Sequence, residues 1–222
     1  RRRRRARAER ATTALPIPSV FVPSALTGAL DDRRSYAHAP NAVATYAHTR
    51  LAGLFDHARL LAVRGELSAL RRTFKETDLF RVFQTGDLAN IDAADPTHAS
   101  ALAETLRLRE AIYSPAFRAF VRRMTGCPPL SSRTDCSCNV YQRGGHLLCH
   151  DDVIGSRAVS YILYLSRPGQ RWRPELGGAL ELYARKADGA PCEAPTVLLA
   201  PEFGTLVMFT VQPGASFHAV SE

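Results

Sequence analysis

Three residues of this chain could serve one metal ion on grounds of type and spacing: His150, Asp152 and His218. The first two form a His-x-Asp step at the end of the run NVYQRGGHLLCHDD. In an extended segment, side chains at i and i+2 point to the same side, so an imidazole and a carboxylate can reach one ion while Asp151 faces away. His218 follows Asp152 by 66 residues, at the end of TLVMFTVQPGASFHAV, where a returning strand could bring it alongside. Two imidazoles and one carboxylate make a facial set that leaves the other positions of an octahedral iron(II) open, unlike the closed four-ligand cage of structural zinc. Seven histidines in 222 residues make such a short match common by chance, so the surrounding pattern has to decide.

A rival set competes for the same region. Cys136, Cys138 and Cys149 with His146 or His150 offer thiolates and imidazoles at zinc-like spacing. The plainer account is that Cys136 and Cys138, two apart in a strand, pack one face of it.

The elements that must position these groups fall into two textures. From Ala42 to Leu70, Leu51, Leu54, Phe55, Ala58, Leu61 and Leu67 recur at steps near three and four, which predicts helices packing one face. Asp95-Pro96 offers an N-cap and a first-turn proline for a helix carried on by Ala101 to Ala111. Ser114-Pro115 repeats that signal before Phe117, Phe120, Val121 and Met124, and Gly126 stands where a C-terminal cap belongs. Beyond Pro129 come short β-prone runs: Cys136 to Gln142, Val159 to Ser166, Ala179 to Tyr183, Thr196 to Leu199 and Thr205 to Val211. Helices first and many short strands after predict an α+β domain, with helices bracing one side of a β-sandwich or barrel.

The length suits one domain with its own core, and no apolar run approaches the length of a membrane span. The net charge of +8 suggests a nucleic-acid partner, but the first ten residues hold seven Arg against one Glu, leaving only +2 for the other 212. Residues 1–40 read as a basic, disordered extension, and its Arg run could contact RNA or direct the chain to an organelle. Five cysteines, an odd number without an evident secretory signal, argue for a reducing compartment rather than a disulfide framework.

The segments YQRGGHLLCHDD, SRAVSYILYLS, LGGALELY, LLAPEFGTLVMF and PGASFHAVSE, in that order and spacing, resemble the prolyl-hydroxylase group of 2-oxoglutarate- and iron(II)-dependent oxygenases. Within the group they look most like the enzymes that hydroxylate a proline of a small-subunit ribosomal protein near the decoding centre. The resemblance runs over roughly residues 42 to 222. It implies a double-stranded β-helix (a jelly-roll or cupin-like fold) braced by N-terminal helices and occupying residues 41–222, with Fe(2+) on His150, Asp152 and His218. It further implies 2-oxoglutarate as co-substrate against Tyr141, Tyr164 and Leu180, dioxygen as oxidant and ascorbate as reductant. The implied partner is a ribosomal protein of the small subunit, with no membrane, in the cytoplasm or nucleus. The segment from Thr77 to Asp92 is a candidate covering loop by similarity, with Arg81 and Asp87 as substrate contacts.

Such enzymes bind the distal carboxylate of 2-oxoglutarate through an arginine on a strand shortly after the second metal histidine. No arginine lies between His218 and Glu222, so the catalytic domain reads as truncated at its C-terminus. A different class of function, a non-catalytic metal- or RNA-binding β-barrel module, stays open on the residues alone.

Overall fold

The computed structural model describes residues 46–222, so the expected basic extension at 1–40 lies outside the described residues. Three layers make up the rest: helices, a small antiparallel sheet and a larger one.

The helices begin where side chains can satisfy their free N–H groups. Asp56 caps α1 (His57–Ala69), its Oδ1 accepting from Arg59 N at 2.9 Å, and Leu60, Val63 and Leu67 form the buried stripe. Asp95 caps α2 (Pro96–Ala101) in the same way. After a break at Leu102 comes α3 (Ala103–Ile112), which has no cap of its own. Glu66 of α1 supplies one, accepting from Glu104 N at 3.1 Å and Thr105 N at 2.7 Å, a carboxylate placed at a helix N-terminus. The helix α4 (Pro115–Thr125) has both ends expected of it: Ser114 Oγ accepts from Phe117 N at 3.0 Å, and Gly126 closes it at φ 67°.

The small sheet runs β1 (His48–Leu51), β9 (Leu206–Thr210), β6 (Val159–Leu163). The larger runs β2 (Thr73–Glu76), β3 (Phe80–Gln84), β5 (His146–His150), β10 (His218–Val220), β7 (Leu180–Leu182), β8 (Val197–Leu199), with β4 (Asn139–Val140) also on β3. One face of the small sheet, with Leu51, Leu206 and Met208, packs on the helices. The other, with Val207 and Phe209, packs on Leu180 and Leu182 of the larger sheet. β9 is therefore covered on both faces, which is why it reads as an unbroken apolar run. This is the α+β double-stranded β-helix with helical bracing that the sequence led us to expect.

Three expectations change. Residues 48–51 are a strand rather than part of a helix, because pairing with β9 turns the spacing of Leu51, Leu54 and Phe55 into a strand followed by a turn, all in one core cluster. The run Cys136 to Gln142 keeps only two residues of strand. The segment from Thr77 to Asp92 is not a free covering loop: β3 takes five of its residues into the sheet between β2 and β5, and a 3-10 turn spans Leu88–Asn90.

Candidate metal centre

His150 ends β5 and His218 begins β10, and the two strands pair antiparallel with these residues opposite each other. The next pair is Val220 with Leu147, so Leu148 and Cys149 together oppose the single residue Ala219. This bulge reverses the alternation: Leu147 and His150, three apart, can both face the interior, where regular pleating would have put them on opposite faces. The imidazole rings of His150 and His218 lie 4.2 Å apart between centroids. Phe209 of the small sheet closes over His218 at 4.8 Å, and Tyr46 meets Phe209 edge-on at 5.5 Å.

Asp152 reaches the same point by a different route from the one its spacing suggested. The strand stops at His150, and Asp152 stands at φ 62°, the sole positive value among described residues other than glycine. Aspartate is one of the few side chains that tolerate the left-handed region. Its carboxylate accepts from Arg157 Nη1 at 2.8 Å and from Ser160 Oγ. Oδ1 lies 3.3 Å from His150 Nε2, and Oδ2 lies 3.7 Å from His218 Nε2. One ligand atom from each of the three residues lies within 4.8 Å of the others, and they form the group of this kind found among the described residues.

The rings are oriented from behind. His150 Nδ1 lies 2.8 Å from the Leu148 carbonyl and His218 Nδ1 lies 2.8 Å from the Ser216 carbonyl. A carbonyl only accepts, so each Nδ1 carries the proton and each Nε2 is turned toward Asp152. Backing of a ligating imidazole by a fixed carbonyl is what metal sites use to set tautomer and direction. Burial pushes the His218 pKa down to about 4, aided by the nearby His150, so its Nε2 is a lone pair at neutral pH. At His150 burial also pulls downward, but the bonds with Asp152 and the Leu148 carbonyl outweigh it and the net shift is upward. Burial works against ionisation of Asp152, yet the bonds from His150 and Ser160 with the charges of His218 and Arg157 hold its carboxyl far below the usual range. Two directed imidazole nitrogens and an ionised carboxylate converging on one point suit a divalent cation.

Tyr141 and Tyr164 come from opposite sheets into the same interior. Tyr164 packs against the cluster that contains fully buried Leu180. Burial, with Asp152 nearby, pushes the Tyr141 phenol up to about 12, and burial with Tyr141 nearby raises Tyr164 as well. Arg81 stands on β3, its guanidinium 5.7 Å from the Phe74 ring and 3.6 Å from Glu76 of β2, and is not brought to the three candidate ligands. The Asp87 carboxylate caps the 3-10 turn through Ala89 N and accepts from Tyr113 Oη, so it is engaged within the fold.

Sequence reasoning missed Arg157, Ser160 and Phe209. Period-two alternation back from Tyr164 through Ile162 would have marked Ser160, whereas Arg157 sits in a turn and carries no such signal. The cysteines of the zinc reading do not converge: Cys136 and Cys138 pack beside the helical core, and Cys149 lies near Glu181.

A family model described as the 2OG-Fe(II) oxygenase superfamily matches residues 136–222. The chain is 49% identical over 178 residues to prolyl 3,4-dihydroxylase OGFOD1 of Ostreococcus tauri, covering 80% of this chain and 35% of that protein. It is 36% identical over 157 residues to prolyl 3-hydroxylase OGFOD1 of Mus musculus, covering 71% of this chain and 26% of that one. The chain thus spans about a third or less of the length of these relatives. Among solved structures, a prolyl hydroxylase of Trichoplax adhaerens in complex with a hypoxia-inducible-factor peptide fragment aligns with a TM-score of 0.56 at 14% identity, covering 88% of this chain and 82% of that one. A Pseudomonas putida prolyl-4-hydroxylase aligns at 0.51 and 22% identity, covering 88% and 90%. These structural likenesses establish a shared fold.

Proposed function

We propose, from the match of residues 136–222 to the 2OG-Fe(II) oxygenase superfamily, that the protein is an oxygenase of this kind and hydroxylates a prolyl residue within a protein substrate. The observation that carries this is the convergence of His150, Asp152 and His218, with both imidazoles aimed by backbone carbonyls. Iron(II) held by these three, with 2-oxoglutarate and O2, supplies oxidative decarboxylation coupled to hydroxylation of a C–H bond.

The chain's own residues have separable tasks. His150 and His218 offer Nε2, and Arg157 with Ser160 holds the Asp152 carboxylate in its left-handed turn. Tyr141 and Tyr164 donate to the far carboxylate of 2-oxoglutarate, with Leu180 as apolar wall; neither phenol has a protein hydrogen-bond partner among the described residues, and their raised pKa values keep them protonated donors. Phe209 and Tyr46 exclude water behind His218. Arg81 is nearly half exposed and available to a peptide. Asp87 acts through the turn it caps, which sets the edge over which that peptide would pass.

The finer reading is that the substrate is a ribosomal protein of the small subunit. It is supported by the resemblance of LLCHDD and SFHAVSE to enzymes of that specificity. Ascorbate as reductant and a place in the cytoplasm or nucleus, in translation, follow from it. The test is to supply the full chain with iron(II), 2-oxoglutarate, ascorbate and O2 together with proline-containing peptides of small-subunit ribosomal proteins. Succinate and an oxygen atom added at one proline are expected. Succinate without peptide oxidation would overturn the substrate class, and no succinate from an iron-loaded chain would overturn the oxygenase reading.

A further inference from the structure

Asp151 sits between two of the candidate ligands, and alternation along a strand would have it pointing idly away. The structure gives it other work. Its Oδ2 accepts from Gly214 N at 2.9 Å, across 63 residues of chain, and its Oδ1 accepts from Val153 N at 3.2 Å. Its backbone carbonyl accepts from Ser216 Oγ at 2.8 Å. Ser216 is fully buried and also closes the turn before β10: its hydroxyl accepts from Gln212 N at 2.9 Å and lies 3.1 Å from the Gln212 carbonyl. The Ser216 carbonyl, in turn, receives Nδ1–H of His218.

We propose that Asp151 is a positioning residue that joins the two halves of the metal centre, holding His218 in place through the turn at residues 212–216. The inference rests on the metal-site reading above. His150 ends β5 with Asp152 just past it, His218 begins β10, and the pairing of these two strands stops at the His150–His218 pair, leaving a gap beyond it. Asp151 bonds across that gap with side chain and main chain at once. Because Ser216 is the residue that sets the tautomer and direction of His218, any shift of its turn moves the lone pair of the second imidazole. The HDD step is thus two ligands with the latch between them, and a His-x-Asp with an apolar middle residue would carry the same ligands more loosely.

The test uses cobalt(II) as probe on the full chain, read by visible absorption, beside hydrogen exchange of the Gly214 amide in metal-free protein. Asp151→Ala should weaken cobalt(II) affinity by about ten- to a hundredfold, the range for residues that support metal ligands, and should expose the Gly214 amide to exchange. Asp151→Asn, which keeps one side-chain oxygen for Gly214, should recover most of both. Gly126→Ala, which destabilises α4 far from the site, controls for stability alone and should leave affinity unchanged. If Asp151→Ala binds cobalt(II) as tightly as the parent chain, or if Gly126→Ala loses as much affinity as Asp151→Ala, the proposal is overturned. Failure of the parent chain to bind cobalt(II) would overturn the metal-site reading instead. In that event the exchange of Gly214 in Asp151→Ala still decides the latch: fast exchange supports it and unchanged protection refutes it.

Discussion

Replacing Arg157 by Met tests how the Asp152 carboxylate is kept ionised in a mostly buried site. The methionine keeps much of the apolar stem and removes every donor. Lost with the guanidinium are the 2.8 Å bond to Asp152, whose side chain is 12% exposed, and a 3.5 Å pair with Asp135, which is 78% exposed. A hydrogen bond to a charged group contributes ~1.5–3 kcal/mol, and a pair as exposed as the second contributes close to nothing. His150 and Ser160 still bond to the carboxylate, so we expect a net loss of about 2 kcal/mol in the metal-free chain. For a chain of this size that lowers Tm by about 4–8 °C. The pH dependence has a definite sign. The carboxyl of Asp152 is held below its ordinary value, so its contribution is fully present above the unfolded-state pKa and is lost as pH falls through the folded one. The deficit of Arg157→Met should therefore be constant from about pH 7 to 5 and shrink below about pH 4. Thermal melts across that range measure it, and a bound divalent cation, as an alternative partner for the carboxylate, should narrow the gap. A deficit under about 1 °C at neutral pH, or one that persists unchanged in acid, would show that Arg157 does not carry the charge balance of the site.

Other outcomes follow from the same geometry. Cobalt(II) at a hundredfold excess over its Kd should stabilise the parent chain by about 2.7 kcal/mol, a shift reversed by chelator and absent in His218→Ala; an equal shift in that variant would mean the ion binds elsewhere. Gly145→Ala should destabilise the chain by ~1–3 kcal/mol, since an added Cβ would lie 2.8 Å from the Gln142 carbonyl oxygen and 3.1 Å from that of Arg81, both backbone; an unchanged melting temperature would refute the close approach. Gly126→Ala should cost about 1 kcal/mol from the left-handed C-cap alone, seen as a small drop in Tm, because the space around it is open. Burial pushes the Cys136 thiol up to about 11, so at pH 8 only about one molecule in a thousand is thiolate. Its alkylation, followed by mass spectrometry of the labelled peptide, should be slow and rise about tenfold per pH unit, and labelling at the rate of a free thiol would contradict the packing described.

What could be read directly from the residues was what neighbours in sequence determine. Ser114-Pro115 and Gly126 mark both ends of α4, because capping joins residues two to four apart, and the stripe of Phe117, Phe120, Val121 and Met124 names its buried face. Residue types also offered His150, Asp152 and His218 as candidate ligands, but a match that short is common by chance, and the order of the surrounding segments was what singled them out. Their geometry was not legible. Alternation predicted His150 and Asp152 side by side on a strand, whereas the strand ends at His150 and Asp152 turns back through a left-handed residue held by Arg157 and Ser160. The same local pattern that read as helix at residues 48–51 became a strand once β9 was available to pair with it. The bulge opposite Ala219 and the latch from Asp151 to Gly214 join positions more than sixty residues apart. Hydrogen bonds between near neighbours leave a periodic trace in the residues themselves. Register, bulges and the convergence of loops depend on which distant backbone groups find each other, and that is decided only when the sheets close on one core.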